Sequence, residues 1–377
     1  MAGTVSTYKD IEEIPFQEIA DSPTLKYYTN WKVFQQRLKA PDSKEYIAEP
    51  SWIARLKERV TDYLILGKDV EQEVSKVRLS DVASNEDILA EIGATGKMDY
   101  IHVQRLTKGV KVALPDEEES TLLIVSLGGD GYTGHHVSLE VGKGANLELI
   151  LVDLGGIGNA SLKTFTLSGR LCENAQVRVT SLSSHGETAV YTKRVYRLSS
   201  HAKLEVRSLY IGGPSTRVNE DAYLEGIGSS VAVQASALST GSSWIDVLLN
   251  AIHEGERSKS LVTARGASLD NAFLSLRGIA IVKDQAEWSR SHVDVHSLIL
   301  SDTARANASP MLEIHTGNVE EAYHSASVHS IEESELFYLA TRGLSRNDAI
   351  KLLLDGVAGY SGVLELLGIS LEGLMGQ

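Results

Sequence analysis

A short phrase recurs along the middle of this chain and constrains its fold more than any other sequence feature. Each copy has a small or polar turn residue, an alanine, and then a strand in which apolar and polar side chains alternate. Clear copies occupy residues 144–149, 174–179 and 201–206, and weaker ones begin at 285 and 303. The clear copies lie about 27 to 30 residues apart, a spacing typical of stacked structural repeats. One repeat cannot bury its apolar face alone, so the pattern predicts a stack of strands.

The β texture extends from about residue 100 to 320, and we expect the core there. Short runs at 101–103, 110–112, 122–125, 136–141 and 147–152 read as strands, separated by Gly, Ser, Asn and Asp clusters. No helical pattern interrupts them, which disfavours a sheet of alternating strands and helices. A sandwich or jelly roll remains the alternative, although hairpin turns such as Asp130-Gly131 do not repeat. The periodicity favours a β-helix over that alternative.

Helical segments are predicted on both sides of the core, at residues 1–99 and 321–377. In the first, Leu56, Val60 and Leu64 stand at helical spacing. In the second, Ser330 and Glu333 form a predicted capping box that opens a helix. The C-terminal segment is strongly apolar for a terminus, so we expect it to pack on the β body or on a partner.

The composition excludes several classes of function. The 377 residues carry a net charge of -14, which argues against broad binding to nucleic acid or to an anionic membrane. The single cysteine, Cys172, rules out an internal disulfide and is expected to be a buried structural residue. The sequence lacks a signal peptide pattern and a long apolar run, so we expect a soluble cytoplasmic protein.

Common catalytic motifs are missing. Residues 93–98 contain a Gly-Lys pair, but the spacing is too short for a phosphate loop, and Met98 stands where Ser or Thr is needed. The glycines at 155, 156 and 158 follow a strand, yet no helix pattern follows them. The sequence therefore predicts a protein that is not an enzyme.

Histidine is the one informative residue type. His292 and His296 are four residues apart, so in a strand they share one face with Asp294. His324 follows, with Glu313 nearby in sequence. Imidazole and carboxylate groups suit iron, zinc and other divalent metals. Solvated or hydrogen-bonded histidines at the end of a stack are the alternative.

The C-terminal part of the sequence resembles the SufB/SufD family of iron–sulfur cluster assembly proteins. The resemblance rests on a Pro-x-Leu-Glu-Ile-like strand at 310–314, a His-x-Ala turn at 324–326, a Phe-Tyr-Leu-x-x-Arg-Gly helix end at 337–343, and an Ala-containing final helix from 348. Residues 296–301 and 276–279 resemble earlier strands of that family, and Tyr28-Thr29-Asn30 resembles a short motif of SufD-like members.

The resemblance implies a right-handed parallel β-helix with helical ends. It implies a dimer, with a SufB-like paralogue or with itself, and C-terminal helices that dock a SufC-like ABC ATPase. We therefore expect a SufD-like scaffold for iron–sulfur cluster assembly, with no stably bound cofactor and with iron or a transient cluster at a subunit interface. The residues expected to bind the ATPase are Phe337, Tyr338, Arg342, Ile350, Leu353 and Leu354.

His324 matches the histidine that the family places at the cluster-assembly interface, and Glu313, His292 and His296 are further metal candidates. Three positions depart from the family pattern. Ala322 replaces a cysteine of SufD-like members, Ser325 replaces a glutamate of SufB-like members, and the SufB-like ligand cysteine would fall near Val295. A purely structural homo-oligomer and a β-helix enzyme acting on carbohydrate are the alternative functions.

Overall fold

The structure is a computed structural model that describes residues 11–22, 26–82, 84–345, 348–349, 352–353 and 360–367. Within these residues, no helix is both long enough and apolar enough to cross a membrane. Short helices flank a long succession of strands. The helices are α1 (Trp31–Arg37), α2 (Ser51–Lys57), α3 (Asn85–Ile92), α4 (Lys97–Gln104), α5 (Glu333–Thr341) and α6 (Tyr360–Leu367).

Most strands are nine or ten residues long. They are β1 (Asp62–Leu66), β2 (Val70–Glu73), β3 (Arg78–Ser80), β4 (Lys108–Leu114), β5 (Glu119–Leu127), β6 (Tyr132–Val141), β7 (Asn146–Leu154), β8 (Leu162–Leu171), β9 (Gln176–Ser184), β10 (Ala189–Leu198), β11 (Lys203–Ile211), β12 (Thr216–Leu224), β13 (Ser230–Ser239), β14 (Trp244–His253), β15 (Lys259–Ser268), β16 (Phe273–Val282), β17 (Arg290–Ile299), β18 (Arg305–Ile314) and β19 (Glu321–Ser330).

Successive strands alternate between two parallel sheets, so the chain winds as a coil with two strands in each turn. From β5 onward the odd-numbered strands pair in one sheet, and the even-numbered strands from β4 onward pair in the other. Leu122 pairs with Leu149, and Leu149 with Val179, in parallel register. Parallel pairing of this kind confirms the predicted parallel β-helix and excludes a hairpin-built sandwich. The hand of the coil stays a prediction.

The recurring turn phrase is explained by one stacked corner of the coil. Its turn residues Gly144, Asn174 and His201 all have positive φ, a conformation that glycine and asparagine accept readily. Each donates its backbone N–H to the next turn, as Gly144 does to the Glu173 carbonyl at 3.0 Å. The alanines that follow, Ala145, Ala175 and Ala202, are fully buried, because the tight corner has room only for a methyl group.

Aliphatic side chains fill the coil interior and also cover part of its outside. Leu147, Leu149 and Leu151 on β7 point into the coil and join the main core. Their neighbours Ile150 and Val152 point outward, into a second cluster that α2 and α6 cover. Helices on this outer face explain why several strands are apolar on both sides.

The coil begins earlier than the sequence indicated. The segment expected to be helical over 1–99 contains β1, β2 and β3, and β1 pairs in parallel with β5. The helix predicted through Leu56, Val60 and Leu64 ends at Lys57, and Leu64 lies in β1. Both faces of β1 are buried, so its apolar run lacks the alternation that identifies a half-exposed strand.

Two other expectations also differ from the structure. The run 101–103, expected to be a strand, lies in α4, whose first turn is capped by Asp99 accepting the Thr95 N–H at 2.8 Å. The coil also continues through β19, past the expected boundary at 320. The capping box expected at Ser330 forms instead at Glu332, whose N–H donates to Glu335 at 2.9 Å.

Candidate functional site at the open end of the coil

The coil ends at its C-terminal side in an exposed turn. Strands β18 and β19 are the last strands of the two sheets. All side chains of β19 are exposed except Ala322, which is half-buried, whereas the equivalent side chains of β17 alternate between buried and half-buried. Edge strands of this kind carry unpaired backbone N–H and C=O groups that can pair with another chain.

His324 lies on the face of β19 that continues the coil interior. It pairs in register with Val293, a fully buried core residue of β17. Ala322 and Ala326 flank it on the same face, above Ser291 and Val295. His324 is nevertheless exposed, because the described chain adds no further strand over it. The open end therefore presents an imidazole where an aliphatic side chain would otherwise form the next layer.

His292 and His296 share one face of β17, as the sequence predicted, and that face is the outer one. The His292 ring lies 3.8 Å from the ring of Tyr323, and its Nε2 is 3.4 Å from a Glu321 carboxylate oxygen. His296 Nδ1 is 2.8 Å from the Ser327 hydroxyl. These contacts tie the outer faces of the last two strands of this sheet together.

Glu313 stands apart from the three histidines, on β18 in the other sheet. Its carboxylate lies 2.8 Å from Nε2 of His315. Among the described residues, no group of three or more His, Cys, Asp or Glu side chains could together hold a metal ion. The structure thus divides His324, His292, His296 and Glu313 among three surfaces, and their assignment as metal ligands stays a prediction.

Helix α5 follows β19 directly and has large exposed side chains. Phe337 is 69% exposed and Tyr338 is 56% exposed. Arg342 lies with its guanidinium 5.2 Å from the Tyr338 ring centroid, and it donates to the Tyr338 hydroxyl at 3.2 Å. An exposed aromatic pair on a terminal helix is a typical feature of a protein-binding surface.

Several described apolar residues that follow α5 pack against the coil, although Leu352 is 54% exposed. Leu353 is half-buried against the outer apolar cluster, and Val363, Leu364 and Leu367 of α6 are buried in it. Leu353 therefore contacts the coil itself. The other two residues expected to bind a partner, Ile350 and Leu354, lie outside the described residues. Cys172 is unpaired and half-buried, and burial, with Glu140 and Asp116 nearby, raises the pKa of its thiol.

Sequence reasoning missed a group of charged side chains inside the coil. Asp153 lies on the inward face of β7 and forms an ion pair with Lys163 at 2.6 Å, and both are fully buried. Burial by itself would raise the pKa of Asp153, but Lys163 and His185 together outweigh it and hold that pKa well below its ordinary value. The sequence did contain a signal for this group, because Asp153 stands at a position of β7 where the alternation predicts an inward-facing aliphatic residue.

A second buried polar network lies in the turns just below the open end. His253 Nδ1 is 2.7 Å from the Ser258 hydroxyl, and Nε2 is 2.8 Å from that of Ser260. These serines lie 2.9 Å from Ser289 and 2.8 Å from Ser291, respectively. In register with His253 stand the aliphatic residues Leu224 and Val282, so the network replaces part of the apolar lining. Burial lowers the pKa of His253 to about 4.

Together, the fold and its ends define a class: an elongated parallel β-helix with an exposed terminal turn and an exposed helix, suited to assembly with other chains. The model for the SufBD core domain of the SUF system of FeS cluster assembly matches residues 125–357. That match covers more than half of the chain. The chain therefore belongs to the SufBD family of iron–sulfur cluster assembly proteins.

Curated relatives agree with this assignment. The chain is 26% identical over 213 residues to the iron-sulfur cluster assembly SufBD family protein slr0074 of Synechocystis, covering 56% of this chain and 42% of that protein. It is 29% identical over 206 residues to the SufBD family protein ycf24 of Galdieria sulphuraria, covering 51% of this chain and 92% of that one. The matched segment thus spans less than half of the Synechocystis protein.

Proposed function

We propose that this chain is a non-catalytic, SufD-like scaffold subunit of a Suf-type iron–sulfur cluster assembly complex. It works in the cytoplasm, in a dimer with a SufB-like paralogue or a second copy, and with a SufC-like ABC ATPase. The supporting observation is the exposed C-terminal end of the coil. There α5 follows directly on β19, an edge strand that pairs with β17 and with no other described strand.

The open end supports the dimer part of this proposal. The edges of β18 and β19 offer backbone hydrogen-bonding groups, and the inward face of β19 offers small side chains around His324. A partner that covers this turn would bury the imidazole at the interface, where it could ligate iron or a transient cluster as cargo. The ligand cysteine of SufB-like members is missing, since it would fall near Val295, and Ala322 and Ser325 replace a SufD-like cysteine and a SufB-like glutamate beside His324.

The ATPase part is supported by the exposed aromatic pair on α5. Tyr and Phe anchors that fill a partner's pocket commonly dominate protein interfaces. Phe337 and Tyr338 are held side by side on one helix, and Arg342 packs on the tyrosine. Among the described apolar residues that follow α5, Leu353, Val363, Leu364 and Leu367 pack on the coil, whereas Leu352 is also exposed.

Co-purification tests the ATPase interaction. Tagged wild-type chain is expected to retain a co-expressed SufC-like ATPase, and the double variant Phe337→Ser/Tyr338→Ser is expected to lose it. Ile227→Ser is the matched control, because Ile227 is 43% exposed in a turn of the coil. Equal retention of the ATPase by all three proteins would show that α5 does not form the docking surface.

A second experiment tests His324. In cells that depend on this protein, His324→Ala is expected to lower the activity of iron–sulfur enzymes, while His315→Ala, another exposed histidine at this end, is expected to leave it unchanged. The dimer is measured separately by light scattering, so that loss of assembly can be told from loss of chemistry. Full enzyme activity in the His324→Ala cells would assign the open end a purely structural role.

A further inference from the structure

The outer face of the odd-strand sheet carries a groove that the proposed function does not use. Its volume is about 440 Å³, within the usual range for ligand-binding sites. It runs along the coil axis across β9, β11, β13, β15 and β17, at the ends where these strands begin. It lies on the part of the sheet not covered by α2 and α6.

Register explains the groove's basic character. The first residues of successive strands stack in line: Asn146, Gln176, Lys203, Ser230, Lys259 and Arg290. Because side chains alternate along each strand, all six of these side chains point outward. Along the coil axis, two amides are followed by three cations and one hydroxyl group. The side wall adds Arg178, two residues into β9.

The cations of this groove are incompletely neutralised. Its one lining carboxylate, Glu205, already lies 3.6 Å from Arg178 and 2.6 Å from Arg207. Arg290 forms an ion pair with Glu320, which lies outside the groove lining, whereas within the described residues Lys203 and Lys259 have no carboxylate within ion-pair distance. The whole chain carries a net charge of -14, so the groove is a local basic strip on an acidic molecule.

The floor of the groove is apolar. Ala232 provides its depth because its methyl group stands between the longer Glu205 and Leu261 in register. Leu261 is 44% exposed, although aliphatic residues in strands of this coil are mostly buried. An occupant therefore meets aliphatic contact on the floor and positive charge along the margin formed by Lys203, Lys259 and Arg290.

We propose that this groove binds an extended acidic segment of a partner protein. Adjacent strands lie about 4.8 Å apart, which places Lys203 and Lys259 about 10 Å apart across two turns. That distance equals about three residues of a chain in the extended polyproline II conformation, in which every third side chain faces the same side. A segment with carboxylates at this spacing and a small apolar residue between them matches both the charges and the floor. A nucleic acid is disfavoured, because four cations on an acidic protein neutralise few phosphates.

Fluorescence anisotropy with the full-length chain tests the proposal. The probe is a fluorescein-labelled nonapeptide of three Glu-Ala-Ala repeats, which carries a carboxylate at every third residue, and a nonapeptide of three Lys-Ala-Ala repeats is its charge-inverted counterpart. The acidic probe is expected to bind and the basic one not to bind. Lys203→Glu/Lys259→Glu is expected to weaken binding by at least about tenfold. Lys39→Glu/Lys44→Glu changes the net charge equally on exposed lysines outside the groove, and it is expected to bind like the wild type.

A neutral variant distinguishes the groove from general charge attraction. Ala232→Tyr fills the floor without altering charge, and it is expected to weaken binding as well. Equal weakening by the two charge-reversal variants, or unchanged binding to Ala232→Tyr, overturns the proposal. Tighter binding of a labelled oligothymidylate than of the acidic peptide also overturns it. These outcomes do not depend on ATPase docking or on His324.

Discussion

Replacing His253 with leucine gives the sharpest test of the buried network below the open end. Leucine is the residue that stands in register one turn earlier, at Leu224, so the coil accepts its shape at this place. Ser258 and Ser260 keep hydrogen-bond partners on the next turn after the replacement. We therefore expect the variant to fold, and to differ from the wild type mainly in its response to pH.

The magnitude follows from the pKa of His253. Histidine in the unfolded chain takes up a proton near pH 6.5, whereas burial lowers the pKa of folded His253 to about 4. The unfolded state binds more protons between these values, so stability is full above about pH 6.5 and is lost as the pH falls toward 4. Lowering the pH from 7 to 5 costs about 2 kcal/mol through this residue.

Urea unfolding of the full chain at pH 7 and at pH 5 measures this difference. The free energy of unfolding should fall about 2 kcal/mol less in His253→Leu than in the wild type over that interval. His315→Leu, which removes an exposed histidine, is the matched control and should behave like the wild type. An equal pH-dependent loss in His253→Leu and in the wild type would refute the conclusion that His253 is held neutral inside the coil.

Other predictions follow from the packing of the coil. Gly156→Ala should destabilise the fold strongly, because the added Cβ would overlap the Gly129 carbonyl oxygen. Gly317→Ala is the control and should leave stability unchanged, because its Cβ would meet nothing within 4 Å. The melting temperatures of the two variants measure this difference. Leu149→Ala should lower the free energy of unfolding by about 2–5 kcal/mol in urea titrations, because Leu149 is fully buried in the interior. Arg277→Met should speed proteolytic release of the N-terminal segment, with the coil itself left intact.

The last prediction rests on how the N-terminal segment is held on the coil. Arg277 donates to Asp21 at 2.6 Å and also to Asp246. Asp246 accepts the Thr29 hydroxyl at 2.6 Å. Burial raises the pKa of Asp246, but Arg217 and Arg277 outweigh this and lower it. Cleavage at the wild-type rate in Arg277→Met would show that other contacts fix this segment.

Part of the candidate site could be placed on strands from sequence, but His324, expected in a turn at 324–326, lies in strand β19. The period of two put His292 and His296 on one face, and the structure confirms this. Sequence could not show that His324 lies on the inward face while they lie outward, because that depends on the register between β17 and β19. The sequence also could not show that Glu313 lies away from the histidines, because the winding of the coil places β18 in the other sheet.

The repeated turn phrase by itself determined a stack of strands and favoured the β-helix, because its period of about 27 to 30 residues matches one turn of the coil and its alternation fixes which side chains share a face. Tertiary structure alone decided where the coil starts and which apolar segments cover it. Strand β1 reads as helix in sequence because both of its faces are buried, one by the coil and one by α2. When both faces of a strand are buried, its sequence lacks the alternation that distinguishes a strand from a helix. Only the packing of distant segments against it decides which of the two it forms.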